Sequence, residues 1–345
     1  MDALVSTAGD FDELESSLNM KGFSMNWDIA WAEDQIKNGG RFGPKRVMER
    51  VYDHNCYLFG LWADGLPTGV KGGLGDRSAL LNGTRVVIRA FDVNDVPVRE
   101  GVLKTGCVNA DCVEVARQLI DAGYKPAILN LASRRHPCGG YDKGCNAQEE
   151  ALCRVSTLSQ SLYQLFDEKY KCVRDARVPL RPRAYPLDID FGGVYSPDVT
   201  FFREGKNKFY AFREEPFKCG VISVAALSFR ESNRYCNDEL HFRAPDGGFT
   251  PQGETVQLNK VRTIYRLALK NGHDSIVLGA FGCGVNKLPC EAVAGQFRRV
   301  LEEPEFKGKF AALVFAILEG RGSARRPAEE SGKFAPFYGA FGRWE

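Results

Sequence analysis

Two adjacent glutamates that follow a glycine-containing loop are the residues of this sequence best suited to acid–base chemistry. Gly139 and Gly140 are followed, after seven residues, by Gln148, Glu149 and Glu150. A pair of carboxyl groups can supply both a proton donor and a base. Glycines let backbone N–H groups approach a ligand closely. The spacing therefore predicts hydrolytic chemistry on a ligand that the loop holds.

A purely structural role competes with this interpretation for one of the two carboxylates. Asn146 is a good N-cap, which would put Glu149 at the third helical position, as in a capping box. Adjacent helical residues diverge by about 100°, so both carboxylates cannot point the same way. If Glu149 caps the helix, Glu150 is free to face the strand ends, and it is the better candidate for catalysis.

A second glycine loop has the form of an anion site. The sequence predicts that residues 274–301 form a strand, a loop with Gly279, Gly282 and Gly284, and a helix. Amide groups of such a loop, together with a helix N-terminus, suit phosphate oxygens. The stretch matches neither a Walker loop nor the GxGxxG pattern with its acidic ribose ligand, which disfavours an ordinary NAD-dependent dehydrogenase. The glycine-rich stretch 65–76 lacks GK[ST] and is interpreted as a connector.

The elements that must position these loops follow from apolar periodicity. Strands are predicted at 86–92, 127–132, 199–203, 221–226, 275–279 and 310–318, and helices at 111–122, 147–166, 255–271 and 291–301. Helices between apolar strands predict a parallel or mixed sheet that is covered on both faces. Residues 1–85 form an accessory region with short helices at 27–37 and 44–52. Residues 86–320 form the main domain, and 321–345 a polar and then aromatic tail whose aromatic end docks on the domain.

Composition narrows the function classes. The 46 basic and 44 acidic residues give a net charge of +2, which argues against a broad electrostatic footprint for nucleic acid or membrane. The eleven cysteines include no CxxC pair, so a zinc site is disfavoured and reduced thiols in an intracellular protein are expected. The acidic N-terminus does not resemble a signal peptide, and the longest apolar run, 310–318, is too short to span a bilayer.

Three segments in order resemble the microbial-type poly(ADP-ribose) glycohydrolase (PARG) family. They are the Asn-Leu-Ala-Ser strand end (130–133) with Gly-Gly and Gln-Glu-Glu, the stretch VYSPDVTFFR (194–203) and the loop LGAFGCGV (278–285). The resemblance covers roughly residues 100 to 320. It implies a macrodomain-like three-layer α/β/α sandwich with a mixed central sheet, preceded by the N-terminal accessory segment. It also implies that neither a metal nor a cofactor is needed.

Site residues are carried over from the resemblance by position. Gln148, Glu149 and Glu150 would form the catalytic triplet, with Glu150 as proton donor and Glu149 assisting ribose positioning. The ligand-binding residues would be Asn130 at the distal ribose and, around the diphosphate and terminal ribose, Cys138, Gly139, Gly140, Gly282, Cys283, Gly284, Val285 and Asn286.

Two of these positions depart from the family pattern. Cys138 stands where a third glycine is usual, and Asn286 where an aromatic residue is frequent. Cys138 either takes a strained, glycine-like backbone angle or has a negative φ and packs its side chain away from the ligand. Its thiol could also occupy space used for a different substrate.

The implied activity is hydrolysis of ribose glycosidic bonds in poly(ADP-ribose), with release of ADP-ribose by general acid–base catalysis. Two alternatives remain open: a mono-ADP-ribosyl hydrolase that acts on modified protein or nucleic acid, and a non-catalytic ADP-ribose-binding macrodomain. The expected partner is ADP-ribose or its polymer, carried on a modified protein. We expect a monomer in the cytoplasm or nucleus, with no sequence-specific nucleic-acid binding and no membrane association.

Overall fold

Strands and helices alternate along most of the chain. The computed structural model describes residues 24–166, 181–231, 237–318 and 332–345. The strands are β1 (Arg85–Val87), β2 (Lys104–Val108), β3 (Pro126–Leu131), β4 (Gly193–Arg203), β5 (Phe212–Val224), β6 (Ser275–Leu278) and β7 (Ala312–Ala316). The α-helices are α1 (Ile29–Asn38), α2 (Gly43–Ala63), α3 (Arg77–Gly83), α4 (Cys112–Asp121), α5 (Gln148–Val155), α6 (Leu158–Tyr163), α7 (Pro251–Lys270), α8 (Cys290–Leu301) and α9 (Phe334–Phe341).

All seven strands belong to one mixed sheet in the order β1-β4-β5-β3-β6-β7-β2. The central strands β5, β3, β6 and β7 run parallel, as does β2 at one edge. At the other edge β1 and β4 pair antiparallel. The strands β6 and β7 are buried along their whole length, as expected of parallel strands covered on both faces. The prediction of a mixed α/β sheet is confirmed.

Helices cover both faces of the sheet, because alternate side chains of each strand point to opposite sides. Leu129, Leu278 and Phe315 pack in one hydrophobic cluster with helices α7, α8 and α9. Ile128 and Val277 pack in the other, with helices α2, α4, α5 and α6. The result is the predicted three-layer α/β/α sandwich. The long second helix of the accessory region thus shares a cluster with the central strands.

Several predicted element bounds differ from the structure. The helix predicted at 44–52 runs to Ala63, and the strands predicted at 199–203 and 221–226 begin at Gly193 and Phe212. The predicted strand 86–92 ends at Val87, since β1 is an edge strand with β4 as its partner. The predicted helix 147–166 is divided into α5 and α6, because Thr157 leaves the helix and forms two hydrogen bonds with Thr200 of strand β4. The strand β2 was not predicted. Finally, the predicted polar stretch 321–333 falls mostly outside the described residues.

Candidate active site

The two glycine loops leave the same edge of the sheet. Strands β3 and β6 are parallel neighbours, with Ala127 opposite Ile276 and Ile128 opposite Val277. Both carboxyl ends therefore lie together, and each is followed by one of the loops. This is the position at which open α/β sheets bind ligands.

Glu149 is held in place by the strand end and by the first loop. Its carboxylate accepts hydrogen bonds from the backbone N–H of Ser133 at 2.7 Å and of Cys138 at 3.1 Å. The side-chain amide of Asn130 approaches it at 3.4 Å. Burial raises the pKa of Glu149 to about 8, although the hydrogen bond from Ser133 opposes this shift. At neutral pH this carboxyl group is therefore mostly protonated.

Glu150, and not Glu149, caps the helix that carries both residues. Its carboxylate accepts a hydrogen bond from the backbone N–H of Ala147 at 3.1 Å, while its other oxygen accepts one from Gly140 at 2.9 Å. The N-cap is Ala147. The prediction of Asn146 as N-cap was wrong, because the helix begins one residue later and the third helical position moves to Glu150. Both glutamates are buried, and both contact the glycine loop.

The glycine at position 139 is required by the close approach of the two carboxylates. A Cβ there would lie 2.4 Å from Oε1 of Glu150 and 3.3 Å from Oε2 of Glu149. Its φ of 54° is also in the left-handed region. At the next position, the backbone N–H of Gly140 donates to Glu150. The loop therefore packs directly against both carboxyl groups, and it is hydrogen-bonded to Glu150 at Gly140.

Cys138 adopts the backbone angle of a glycine. Its φ is 63°, so the interpretation with a negative φ is wrong. The side chain is nevertheless fully buried, and it contacts the thiol of Cys153 on helix α5. The backbone N–H of Cys138 donates a hydrogen bond to Glu149, and its thiol points into the core.

Gln148 is bonded to the scaffold. Its side-chain amide donates to the carbonyl of Leu129 at 2.8 Å and accepts from the N–H of Leu131 at 2.9 Å. Both atoms of the amide therefore pair with the backbone of strand β3. The first member of the predicted triplet therefore ties the helix to the strand.

Asn130 connects two strands beneath the glutamates. Its Nδ2 donates to the hydroxyl of Ser223 at 3.0 Å. Its Oδ1 is buried and has no hydrogen-bond partner among the described residues. A buried acceptor without a partner is costly in a folded protein, and a ligand hydroxyl is one group that could satisfy it.

The second loop forms a tight turn at the end of strand β6. Gly282 has a φ of 76°, and a Cβ there would lie 2.3 Å from Leu288. The turn exposes Gly284, Val285 and Asn286 to different degrees, with Val285 58% exposed. Cys283 is buried beneath them, and a hydrogen bond with the Cys290 thiol, together with burial, raises its pKa.

One cationic residue beside this loop was not predicted. Nζ of Lys333 lies 3.8 Å from the position that a Cβ of Gly284 would take. Lys333 comes from the chain just before helix α9, almost fifty residues away, and no local spacing in the sequence indicates that it reaches this loop.

Neither a metal cluster nor a membrane helix appears in the part of the chain that the structure describes. No group of three or more His, Cys, Asp or Glu in those residues could hold a metal ion. No helix among them has the length and apolar content needed to cross a membrane.

Comparisons with known proteins point to one family. The family model described as the catalytic domain of microbial-type PARG matches residues 74–204. The solved PARG from Thermomonospora curvata is 26% identical with a TM-score of 0.55, covering 77% of this chain and 88% of that one. Its complex with the inhibitor ADP-HPD is 25% identical with a TM-score of 0.53, covering 77% and 86%. No curated protein sequence matches this chain.

A further solved relative comes from another bacterium. The PARG from Deinococcus radiodurans in complex with ADP-ribose is 25% identical with a TM-score of 0.54, covering 78% of this chain and 96% of that one. Fold and site together define a macrodomain-like α/β protein with paired carboxylates beside two glycine loops. Within this class, residues 74–204 match the family model of the microbial-type PARG catalytic domain, which confirms the resemblance predicted from the motifs.

Proposed function

We propose that this protein hydrolyses the ribose glycosidic bonds of poly(ADP-ribose) and releases ADP-ribose. The observation that carries the proposal is the joint anchoring of Glu149 and Glu150 by backbone N–H groups of the first glycine loop. The backbone N–H groups of Cys138, Gly139 and Gly140 all donate within the protein, so this loop positions the carboxyl groups beside the proposed ligand site. The solved relatives in complex with ADP-ribose or ADP-HPD support this substrate class.

Glycosidic hydrolysis passes through an oxocarbenium-like transition state and needs a proton for the leaving oxygen. In our proposal, Glu150 gives its proton to that oxygen as the bond to the anomeric carbon breaks. Water then adds to the anomeric carbon and returns a proton to Glu150, which restores the starting state. Glu149, mostly neutral at pH 7, puts little negative charge beside the diphosphate and assists the ribose through its Asn130 contact.

The second loop supplies the other half of the proposed ligand site. Backbone N–H groups of Gly282, Gly284, Val285 and Asn286 would contact diphosphate oxygens, while that of Cys283 donates to the carbonyl of Ala280 and shapes the turn. The ammonium of Lys333 beside Gly284 would neutralise part of the diphosphate charge. The unpartnered Oδ1 of Asn130 would accept a hydrogen bond from a ribose hydroxyl. We further propose that the polymer is attached to a modified protein, and that the enzyme works as a monomer inside the cell.

Two variants and one comparison of substrates test the proposal. Purified protein is incubated with labelled poly(ADP-ribose) and, separately, with mono-ADP-ribosylated protein, and free ADP-ribose is measured. We expect release from the polymer. Glu150→Gln should lower turnover at least about 100-fold, because the amide has no acidic proton to give. Its ADP-ribose affinity should change far less than its turnover, because glutamine keeps the shape of the side chain, although it can accept from only one of Gly140 and Ala147.

A remote glutamate provides the matched control. Glu254 at the start of helix α7 pairs with Arg299 on the surface, so Glu254→Gln should leave turnover unchanged. Full turnover by Glu150→Gln would remove this residue from the proton-donor role. Release from the mono-ADP-ribosylated protein alone would favour the hydrolase alternative, and tight ADP-ribose binding without any release would favour a non-catalytic reader.

A further inference from the structure

A fully buried asparagine of helix α2, outside the matched residues 74–204, makes three hydrogen bonds with one amide group. Asn55 donates to the hydroxyl of Tyr141 at 2.8 Å and to the carbonyl of Arg154 at 2.9 Å. It accepts a hydrogen bond from Nε of Arg203 at 2.7 Å. Both amide protons and the oxygen are therefore used, in a site with no access to water.

The two groups that accept from Asn55 lie on either side of the carboxylate contact described above. Tyr141 directly follows Gly140, whose N–H donates to Glu150. Arg154 lies one helical turn after Glu150 on helix α5. One amide group thus joins the loop to the helix at the point where Gly140 and Glu150 meet. The aromatic ring of Tyr52, also on helix α2, packs edge-on against Tyr141 with ring centroids 4.9 Å apart.

Arg203 fixes which way the Asn55 amide points. A guanidinium can only donate, so the amide oxygen must face Arg203 and the NH₂ group must face Tyr141 and Arg154. Arg203 is itself held by the carbonyl of Tyr210 at 3.0 Å and by Nδ1 of His54 at 2.6 Å. Burial lowers the pKa of His54 to about 3, so its imidazole is neutral and Nδ1 can accept this hydrogen bond. The network therefore admits one orientation of Asn55.

We propose that Asn55 is a positioning residue for the reaction, acting through Tyr141 and Arg154 on the contact between Gly140 and Glu150. This inference rests on the proposed function, since it concerns the placement of the proposed proton donor. A displacement of about 1 Å in a catalytic group can cost on the order of 100-fold in rate. The second glycine loop follows another strand, β6, and contributes none of the hydrogen bonds of Asn55 and Arg203 described above.

The variant that isolates this role is Asn55→Asp. The carboxylate keeps the shape of the side chain and still accepts from Arg203, but it has no proton to donate to the carbonyl of Arg154. We expect kcat to fall about 10- to 100-fold and KM to change less than about 3-fold. Tyr141→Phe removes a single hydroxyl and should lower kcat by a smaller factor. The two effects should not multiply in the double variant, because both act on one contact.

Two controls separate positioning from general destabilisation. Val261→Ala, in helix α7 on the opposite face of the sheet, creates a small cavity and should lower Tm with an unchanged kcat. Hydrogen exchange measures the contact between the loop and Glu150 independently of catalytic activity. The amides of Gly140 and Ala147, which donate to Glu150, should exchange faster in Asn55→Asp, while those of helix α7 keep their wild-type rates.

Each outcome has one meaning. A wild-type protein that releases no ADP-ribose from either substrate overturns the proposed function, and the exchange rates still test the positioning. An active wild type with Asn55→Asp retaining kcat within about 2-fold overturns the positioning alone. Unchanged hydrogen-exchange rates at Gly140 and Ala147 in Asn55→Asp would also overturn the positioning. If Asn55→Asp does not fold, Tyr141→Phe gives the result, and a wild-type kcat in that variant overturns the proposal.

Discussion

At Cys138 two physical effects of opposite sign meet in one side chain. The φ of 63° costs any residue with a Cβ roughly 1–2 kcal/mol relative to the right-handed region. The buried thiol, in contrast, stabilises the fold by packing against Cys153. A change to glycine alone would mix the two effects, since it relieves the strain and removes the thiol together.

Comparison of two variants separates strain from packing. Cys138→Gly and Cys138→Ala both lack the thiol, but only alanine keeps a Cβ at the positive φ. We expect the glycine variant to have a free energy of unfolding up to about 1 kcal/mol larger than that of the alanine variant, measured by urea denaturation. Relief of roughly 1–2 kcal/mol of strain exceeds the roughly 0.4–1 kcal/mol that glycine costs through its freer unfolded chain. Cys153→Ala gives the cost of losing a thiol at an ordinary backbone angle. A glycine variant that is about 0.4–1 kcal/mol less stable than the alanine variant, as the unfolded chain alone predicts, would show that the loop carries no strain at this position.

Residue roles at the helix start were only partly predictable from the sequence. The order of glycines and acidic residues was enough to locate the pair of carboxylates. Which glutamate caps the helix depends on whether it begins after Asn146 or Ala147, and a shift of one residue exchanges the two roles. Asparagine is the better N-cap by propensity, but the hydrogen bond from Gly140 to Glu150 outweighs that preference here. This contact is between loop and helix, so local sequence rules do not contain it.

Among the elements, helix α5 depends on strand β3 for its position. Gln148 sits at the first turn of the helix, and its amide pairs with two backbone groups of the strand, as a neighbouring strand would. The helix begins with Glu149 and Glu150 in the next two positions. The strand therefore sets where the helix starts, and through it where the carboxylates lie.

Removal of this tie should affect both stability and rate. Gln148→Ala leaves the N–H of Leu131 and the carbonyl of Leu129 without their partner, which we expect to cost about 1–3 kcal/mol in the free energy of unfolding. The turnover number should fall as well, because the helix start is less well held. Gln148→Glu retains the acceptor for Leu131 and, when protonated, a donor for the carbonyl of Leu129, so it should lose less stability at a pH low enough to protonate its carboxyl group. A fall in stability without any change in kcat would limit Gln148 to a structural role.

The predicted boundaries of the helices and strands agree with the structure where the apolar pattern is strong. They are wrong where contacts with distant segments determine the boundary. Strands β3, β6 and β7 are short apolar runs, and their prediction needed no tertiary information. Strand β2 has the sequence Lys-Thr-Gly-Cys-Val, which lacks such a run, and it forms because strand β7 pairs with it. The break between α5 and α6 has the same origin, since Thr157 bonds to Thr200 in a distant strand.

At the scale of the whole molecule, the C-terminal segment covers the edge of the sheet at strand β2. Phe337 and Phe341 of helix α9 pack on Phe315, with ring centroids 5.0 and 4.5 Å away. After the helix, the chain runs beside strand β2: Cys107 donates its N–H to Gly342 at 2.9 Å and accepts one from Trp344 at 3.1 Å. An edge strand that is covered in this way is protected from pairing with other chains. The predicted docking of the aromatic tail is confirmed for the described residues.

The close approach of this segment requires a glycine in strand β2. A Cβ on Gly106 would lie 2.5 Å from the backbone of Trp344, and backbone atoms cannot rotate away as a side chain can. We therefore expect Gly106→Ala to displace residues 342–345 and to lower the free energy of unfolding by about 1–3 kcal/mol. The site lies at the ends of strands β3 and β6, so kcat of the folded variant should match that of wild type.

Truncation separates this clash from any other effect of the alanine. In a chain that ends at Phe341, the segment that meets the new Cβ is gone, while helix α9 and its aromatic contacts remain. Gly106→Ala should then be close to neutral, since alanine suits a strand somewhat better than glycine does. The measurement is a double-mutant cycle by urea denaturation, with the wild type, each single change and the combination. An equal loss of stability in the full and the shortened chain would place the clash elsewhere, and the C-terminal segment would then not be the reason for a glycine at position 106.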